Sequence, residues 1–229
     1  GQIHNERKRT SLAPANVLCF KAGTVRLYHR VYPGILDGKQ GRVKTGRDAM
    51  KIRIDGTRIY LTAIGEQDTD RVIAWRNKPF VRKWFLYREE FTREGHRMWL
   101  ENVVGQGRAE QFIIWVREGQ HPIGSVYLRD IDREAKKAEF GIFIGEEEWL
   151  GRGIGEEAAK LILDYGFEEL GLHKIKLRVL ADNKRAIASY QKAGFVEEGY
   201  FRDELLLDGK YCDLIFMAKF RCKKNDKKI

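Results

Sequence analysis

No apolar run in the chain approaches the ~18 residues that a helix needs to cross a bilayer. The longest, around Leu12–Phe20, is interrupted by Pro14, so an integral membrane protein is not expected. Only three cysteines occur, Cys19, Cys212 and Cys222, an odd number without CxxC or Cys/His ligand spacing. Neither a disulfide framework nor a zinc site is supported, and reduced thiols in a cytoplasm are expected, with no metal. There is no GxxxxGK[ST] phosphate loop, internal repeat or low-complexity tract, and no Ser/His/Asp nucleophile arrangement. Arg7-Lys8-Arg9 ahead of the Leu12–Phe20 run loosely imitates a signal sequence, but Pro14 breaks it and no A-x-A site follows.

What is present is enough for a core: 43% of the 229 residues are hydrophobic and 11% aromatic, which excludes wholesale disorder. The net charge of +10 is unevenly placed. Residues 1–49 carry +7 and residues 219–229 carry +5, leaving −2 on the body between them. Basic ends suit RNA or acidic surfaces, or are simply solvated. The body that must house any chemistry is slightly acidic, so a cationic substrate suits it at least as well as an anionic one.

Residues 1–49 hold six glycines and two prolines without sustained periodicity, whereas regular patterning begins at Lys51. Three parts follow: a basic extension over 1–49, a domain over 50–218 and a basic tail over 219–229. The extension is either an appendage with its own role or sequence upstream of a natural start at Met50.

Within the domain, Ile52, Ile54, Ile59 and Leu61 flank an Asp55-Gly56 turn and predict a strand or hairpin. Helical offsets over Asp68–Asn77, stopped by Pro79, and over Glu94–Val104 predict two helices. Phe112–Val116 and Ile123–Leu128 read as a strand pair, and Glu139–Ile144 as a third strand of that group. A helix over Gly155–Leu170, a strand over Ile175–Val179 and a helix over Lys184–Ala193 come next. Phe195–Phe201, Glu204–Leu207 and Tyr211–Phe216 close the chain as strands. The fold class is α/β.

The most informative stretch is Gly151-Arg152-Gly153-Ile154-Gly155, between a strand and an amphipathic helix. Glycines there uncover amide N–H groups at the positive end of a helix, a site for a pyrophosphate. Glu156 and Glu157 stabilise the same helix end but repel an anion, so the amides must point away from them. A dinucleotide fingerprint would need glycine at 156, where Glu156 stands. A tight turn without ligand is the plain alternative.

AEFGIFI, WLGRGIGEEA, LHKIKLRVLADN and NxxAIxSYxKAGF, in this order, resemble the GNAT N-acetyltransferases. The likeness spans about residues 52–218. WRNKPFVRKWF near 75–85 resembles the branch with ribosomal-protein N-terminal, spermidine and amino-sugar acetyltransferases. The resemblance implies a mostly antiparallel mixed sheet, flanked by about four helices, whose two central strands, Glu139–Ile144 and Ile175–Leu180, splay apart around acetyl-CoA. It assigns pyrophosphate contacts to the amides of Gly151, Gly153 and Gly155 within the Leu150–Gly155 turn, which includes Ile154, with Arg152 alongside. Asn183 would touch the pantetheine arm or support its loop. Where the family carries Gln or Arg three residues before the middle glycine, Leu150 stands here.

Acetyl transfer to an amine needs a neutral nucleophile, a stabilised oxyanion and a protonated leaving sulfur. Glu139, acting through water, is the candidate base, or else the polar face of a sheet or a structural ion pair. Tyr190, which occupies the family's proton-donor position, is the candidate acid, or else a core tyrosine. Backbone N–H near Phe143 and Ile144 is the candidate oxyanion donor. Glu146–Glu148 reads as a solvated face. For the acceptor, Asp68, Asp70, Glu89, Glu90 and Glu101 are candidates to attract an amine, and Trp84, Phe85 and Tyr87 to flatten against it. The expected partners are acetyl-CoA and a polyamine, amino sugar, antibiotic or protein N-terminus. The expected assembly is a monomer or homodimer, with nucleic acid touched only by the basic ends. A non-catalytic acyl-CoA sensor or ribosome-associated module is the alternative.

Overall fold

A computed structural model describes residues 52–222. One eight-stranded sheet runs through them in the order β1-β2-β3-β4-β5-β6-β8-β7. The strands are β1 (Arg53–Asp55), β2 (Ile59–Ala63), β3 (Glu110–Val116), β4 (His121–Asp132), β5 (Lys137–Ile144), β6 (Lys174–Leu180), β7 (Val196–Leu207) and β8 (Lys210–Phe220). The described helices are α1 (Thr69–Asn77), α2 (Pro79–Arg82), α3 (Arg93–Trp99), α4 (Ile154–Glu168) and α5 (Lys184–Lys192).

Helices cover both faces of the sheet, which explains the unbroken apolar run in β3. Phe112, Ile114 and Val116 point toward α4, packing with Ala158, Ile162 and Leu163. Ile113 and Trp115 point the other way, toward Val72 and Trp75 of α1. With alternate side chains buried on opposite faces, every position is apolar.

Four details differ from the sequence reading. Pro79 does not only end a helix; it opens α2 at its first turn, where a missing N–H costs nothing. The expected helix over Glu94–Val104 is α3 followed by a π-turn over Leu100–Val104. Phe195–Phe201 and Glu204–Leu207 join into the single strand β7, with irregular register between Phe201 and Leu205. Strand β8 passes the expected boundary at 218: Lys219 Nζ donates to the Ala193 carbonyl at 2.8 Å, and Arg221 N–H to the His173 carbonyl at 2.9 Å. No described helix is long and apolar enough to cross a membrane.

Candidate active site

All neighbouring strands are antiparallel except β5 and β6. That parallel pair is hydrogen-bonded only from Lys137 to Glu139, opposite Lys174 to Lys176. Beyond Glu139 the strands diverge, and a cleft of about 440 Å³ opens there. Gly145 N–H donates to the Ile123 carbonyl across β4. By strand alternation the amides of Ile142 and Ile144 then face the gap, where an acyl oxygen finds donors. Gly141 lies beneath the Tyr127 ring so closely that an added Cβ would stand 2.3 Å from it, and a larger residue would have to push the ring aside.

The mouth of the fork is the first turn of α4. Gly151 and Gly153 take positive φ values of 77° and 76°, which L side chains rarely adopt. Between Gly151 and Glu156 no backbone amide has an acceptor among the described residues. Both helix-end carboxylates are paired with cations, though Glu156 still lines the cleft. Glu157 accepts from Arg58 N–H at 2.8 Å and Nε at 2.9 Å, and Glu156 pairs with Lys160 at 2.6 Å. Arg58 also donates to the Arg152 carbonyl at 2.7 Å, pinning the loop to the β1–β2 turn.

Helix α5 forms the opposite wall. Asn183 Oδ1 caps it, accepting from Ala186 N–H at 3.3 Å. Arg185, Ser189 and Lys192 share one helical face and line the cleft beside the glycines. Tyr190 sits deeper, its ring edge-on to Phe140 at 5.6 Å and to Phe195 at 6.0 Å. Its hydroxyl has no hydrogen-bond partner among the described residues, and burial pushes the phenol above its ordinary value of 10. It therefore holds its proton at neutral pH and can only give one.

Glu139 is placed differently. Its Oε1 accepts from Arg129 Nη2 at 2.5 Å and from Arg178 Nη2 at 2.9 Å, tying β4, β5 and β6 together where the fork begins. Burial works to raise this carboxyl, but the two guanidiniums outweigh it and hold it below the usual carboxylate range. A carboxylate so stabilised binds protons poorly, so the geometry favours the structural ion pair over the base.

The other end of the cleft is bounded by α1, α2 and the segment after them. Asn77 clamps that segment through two 2.8 Å bonds with the backbone of Phe91, and Arg88 pairs with Asp208 between β7 and β8. Trp84 and Leu86 pack on Leu180, Leu207 and Leu214. Trp84, Phe85 and Tyr87 line the cleft. The expected acidic residues do not. Asp68 is buried in the turn before α1, accepting from Gly65 N–H at 3.0 Å. Asp70 pairs with Arg93 and Glu101 with Arg97, both on exposed surface. Glu89 and Glu90 are exposed and stand outside the cleft lining.

Of the coenzyme candidates, Phe143, Ile144, Leu150, Gly151, Gly153, Ile154, Gly155 and Asn183 line the cleft. Arg152 does not; its guanidinium lies over the Trp149 ring, 4.9 Å from the centroid. Glu146 is not a solvated face either. It accepts from Trp75 Nε1 at 2.6 Å and Lys78 Nζ at 2.8 Å, fastening α1 to the loop before the glycines. Sequence reasoning missed Arg58, Arg185, Ser189 and Lys192. The i, i+4, i+7 spacing of the last three was the available signal; Arg58 left none. Among the described residues no three His, Cys, Asp or Glu side chains gather as a metal site requires.

A sheet forked between two parallel strands, with a bare glycine-rich helix N-terminus at its mouth, defines a coenzyme A-dependent acyltransferase. Residues 58–196 match the family described as Acetyltransferase (GNAT) domain. Spermidine N(1)-acetyltransferase of Escherichia coli (strain K12) is 41% identical over 145 residues, 63% of this chain and 76% of that protein. The [ribosomal protein uS5]-alanine N-acetyltransferase of the same strain is 25% identical over 176 residues, 73% and 90% of the two chains. The crystal structure of spermidine N-acetyltransferase from Vibrio cholerae in complex with CoA and spermine superposes with a TM-score of 0.66 at 26% identity, covering 71% of this chain and 95% of that one. The chain belongs to the GNAT acetyltransferase family. It is an N-acetyltransferase that takes its acetyl group from acetyl-CoA and delivers it to an amine.

Proposed function

We propose that this enzyme transfers acetyl directly from acetyl-CoA to a primary amine, with Tyr190 giving its proton to the leaving sulfur. The observation that carries this is the unpartnered Tyr190 hydroxyl in the fork, on a phenol held protonated by burial. In this reading the amides of Gly151–Gly155 hold the pyrophosphate, and Arg185 and Lys192 hold phosphate charge from the facing helix. The amides of Ile142 and Ile144 receive the acyl oxygen as it becomes an oxyanion.

In this reading Glu139 serves the ion pair with its two arginines, and the neutral amine is drawn from solution or loses its proton to water. The rate then follows the acceptor's own ionisation, near pH 10 for an alkylamine. Among the described residues no activated nucleophile lines the cleft, which supports transfer without an acyl-enzyme. Free Cys212 and Cys222 fit a reducing, cytoplasmic setting.

The test is thiol release from acetyl-CoA with a panel of amines. Tyr190→Phe is expected to lower kcat about 100-fold while leaving the KM for acetyl-CoA within a few-fold. A Tyr190→Phe enzyme as fast as the parent removes the acid assignment.

A further inference from the structure

Arg76, near the C-terminal end of α1, lines the acceptor end of the cleft. Its guanidinium stacks on Phe85 at 3.6 Å and reaches Phe91 at 4.7 Å. Among the described residues it has neither a carboxylate partner nor a hydrogen-bond acceptor. Burial lowers its affinity for its own proton, with Tyr127 acting the other way and the like charge of Arg129 adding to the lowering. Arg129 and Arg178 are already engaged by the single carboxylate of Glu139. Arg129 also meets the exposed Asp130 at 3.7 Å, so of the three guanidiniums at this end of the cleft Arg76 alone lacks a carboxylate among the described residues, and the acidic residues expected here are all elsewhere.

The stacking matters as much as the charge. Aromatic rings occupy the faces of the Arg76 group, so what remains unsatisfied is its in-plane set of N–H donors. That edge matches a planar or tetrahedral oxyanion bidentately. A half-buried cation without a counter-ion is costly, and a ligand oxyanion supplies the missing partner.

We infer that the acceptor is an amine that also carries an oxyanion, a carboxylate or a phosphate, and that Arg76 grips this group to set the amine beside the acetyl carbon. The inference rests on the acetyltransferase reading above and narrows it. It sets this chain apart from its spermidine-acetylating relatives, since a polyamine offers only positive charge to Arg76.

The experiment measures thiol release by the full chain with matched acceptors: glycine and glycinamide, glucosamine 6-phosphate and glucosamine, phosphoethanolamine and ethanolamine, and spermidine. The anionic member of at least one pair is expected to exceed its neutral mate and spermidine by about tenfold or more in kcat/KM. The carboxylate and phosphate pairs separate the two sources of the oxyanion. Arg76→Gln is expected to erase the preference through the acceptor KM, with acetyl-CoA affinity by calorimetry held. Arg76→Lys, which keeps the charge but not the fork, is expected to retain part of it and serves if the glutamine variant does not fold. Spermidine as the best acceptor, or a preference indifferent to both variants, overturns the inference alone. Acetyl-CoA binding without transfer to any amine overturns the acetyltransferase reading, and the inference with it.

Discussion

Glu139 shows how neighbours, not residue type, decide a carboxylate's role. A base must take a proton readily, yet Arg129 and Arg178 stabilise the charged form against the cost of its burial. Glu139→Gln leaves two guanidiniums facing a neutral amide in place of their shared carboxylate. It is expected to lower stability by about 2–3 kcal/mol, less than for a fully buried pair because both arginines are partly exposed. Urea unfolding checks this. The pH profile of kcat/KM, corrected for folded fraction, is expected to keep the parent's slope; a lost inflection in the glutamine variant would restore the base. Because the folded value of Glu139 is depressed, its contribution to stability is present above the ordinary carboxylate pKa and is lost as pH falls through the folded one.

At the scale of elements, the first turn of α4 and helix α3 each carry a measurable consequence. In the α4 turn, positive φ at Gly153 makes any Cβ strained by about 1–2 kcal/mol. The Cβ would also stand 3.3 Å from Arg58 Nη2, the side chain that pins the loop. Gly153→Ala is expected to weaken acetyl-CoA binding several-fold while the rest of the sheet stays folded; calorimetry and circular dichroism read the two separately. In α3, His96 is fully buried, with Nδ1 3.0 Å from Thr69 Oγ1 and Nε2 unpartnered. Burial, then the Arg76 charge, lowers its pKa from 6.5 to about 4. The folded state thus refuses a proton that the unfolded chain accepts. This stability is complete above pH 6.5 and is lost progressively down to about pH 4. The loss amounts to about 3 kcal/mol at 1.36 kcal/mol per pKa unit. Urea midpoints at pH 7 and pH 4.5 are expected to differ by less in His96→Gln than in the parent.

Across the whole molecule, the sheet is one cooperative object, and its last strand reaches further than the charge pattern implied. Residues 219–222 look like the start of a basic tail. Yet Lys219 closes the end of α5, Phe220 pairs with Lys174, and Arg221 bonds to His173 and Glu168. A chain ending at Ala218 is expected to be less stable than one ending at Cys222 by about 1–3 kcal/mol, the worth of a few hydrogen bonds. Denaturant midpoints of the two chains decide it. Net charge is also a property of the whole molecule and not of its cleft: many carboxylates of the −2 body are spent on surface pairs such as Arg97 with Glu94 and Glu101.

The element order, the family and the glycine turn were legible in the chain itself, because hydrophobic period, turn chemistry and motif spacing act over a few residues. Thus AEFGIFI reads as a strand, GRGIGEE as a helix entry and AIASYQKAGF as the helix carrying Tyr190. What only the folded sheet decided was pairing between distant residues. Arg129, Glu139 and Arg178 stand on three strands and meet only because those strands align. Arg58 approaches the α4 turn from almost a hundred positions away, and Arg76 finds ring faces instead of a carboxylate. Local pattern dictates where backbone bends and which face turns inward. Whether a charge is satisfied depends on the three-dimensional neighbours that low-dielectric contact brings within a few ångströms, and no spacing along the chain records them.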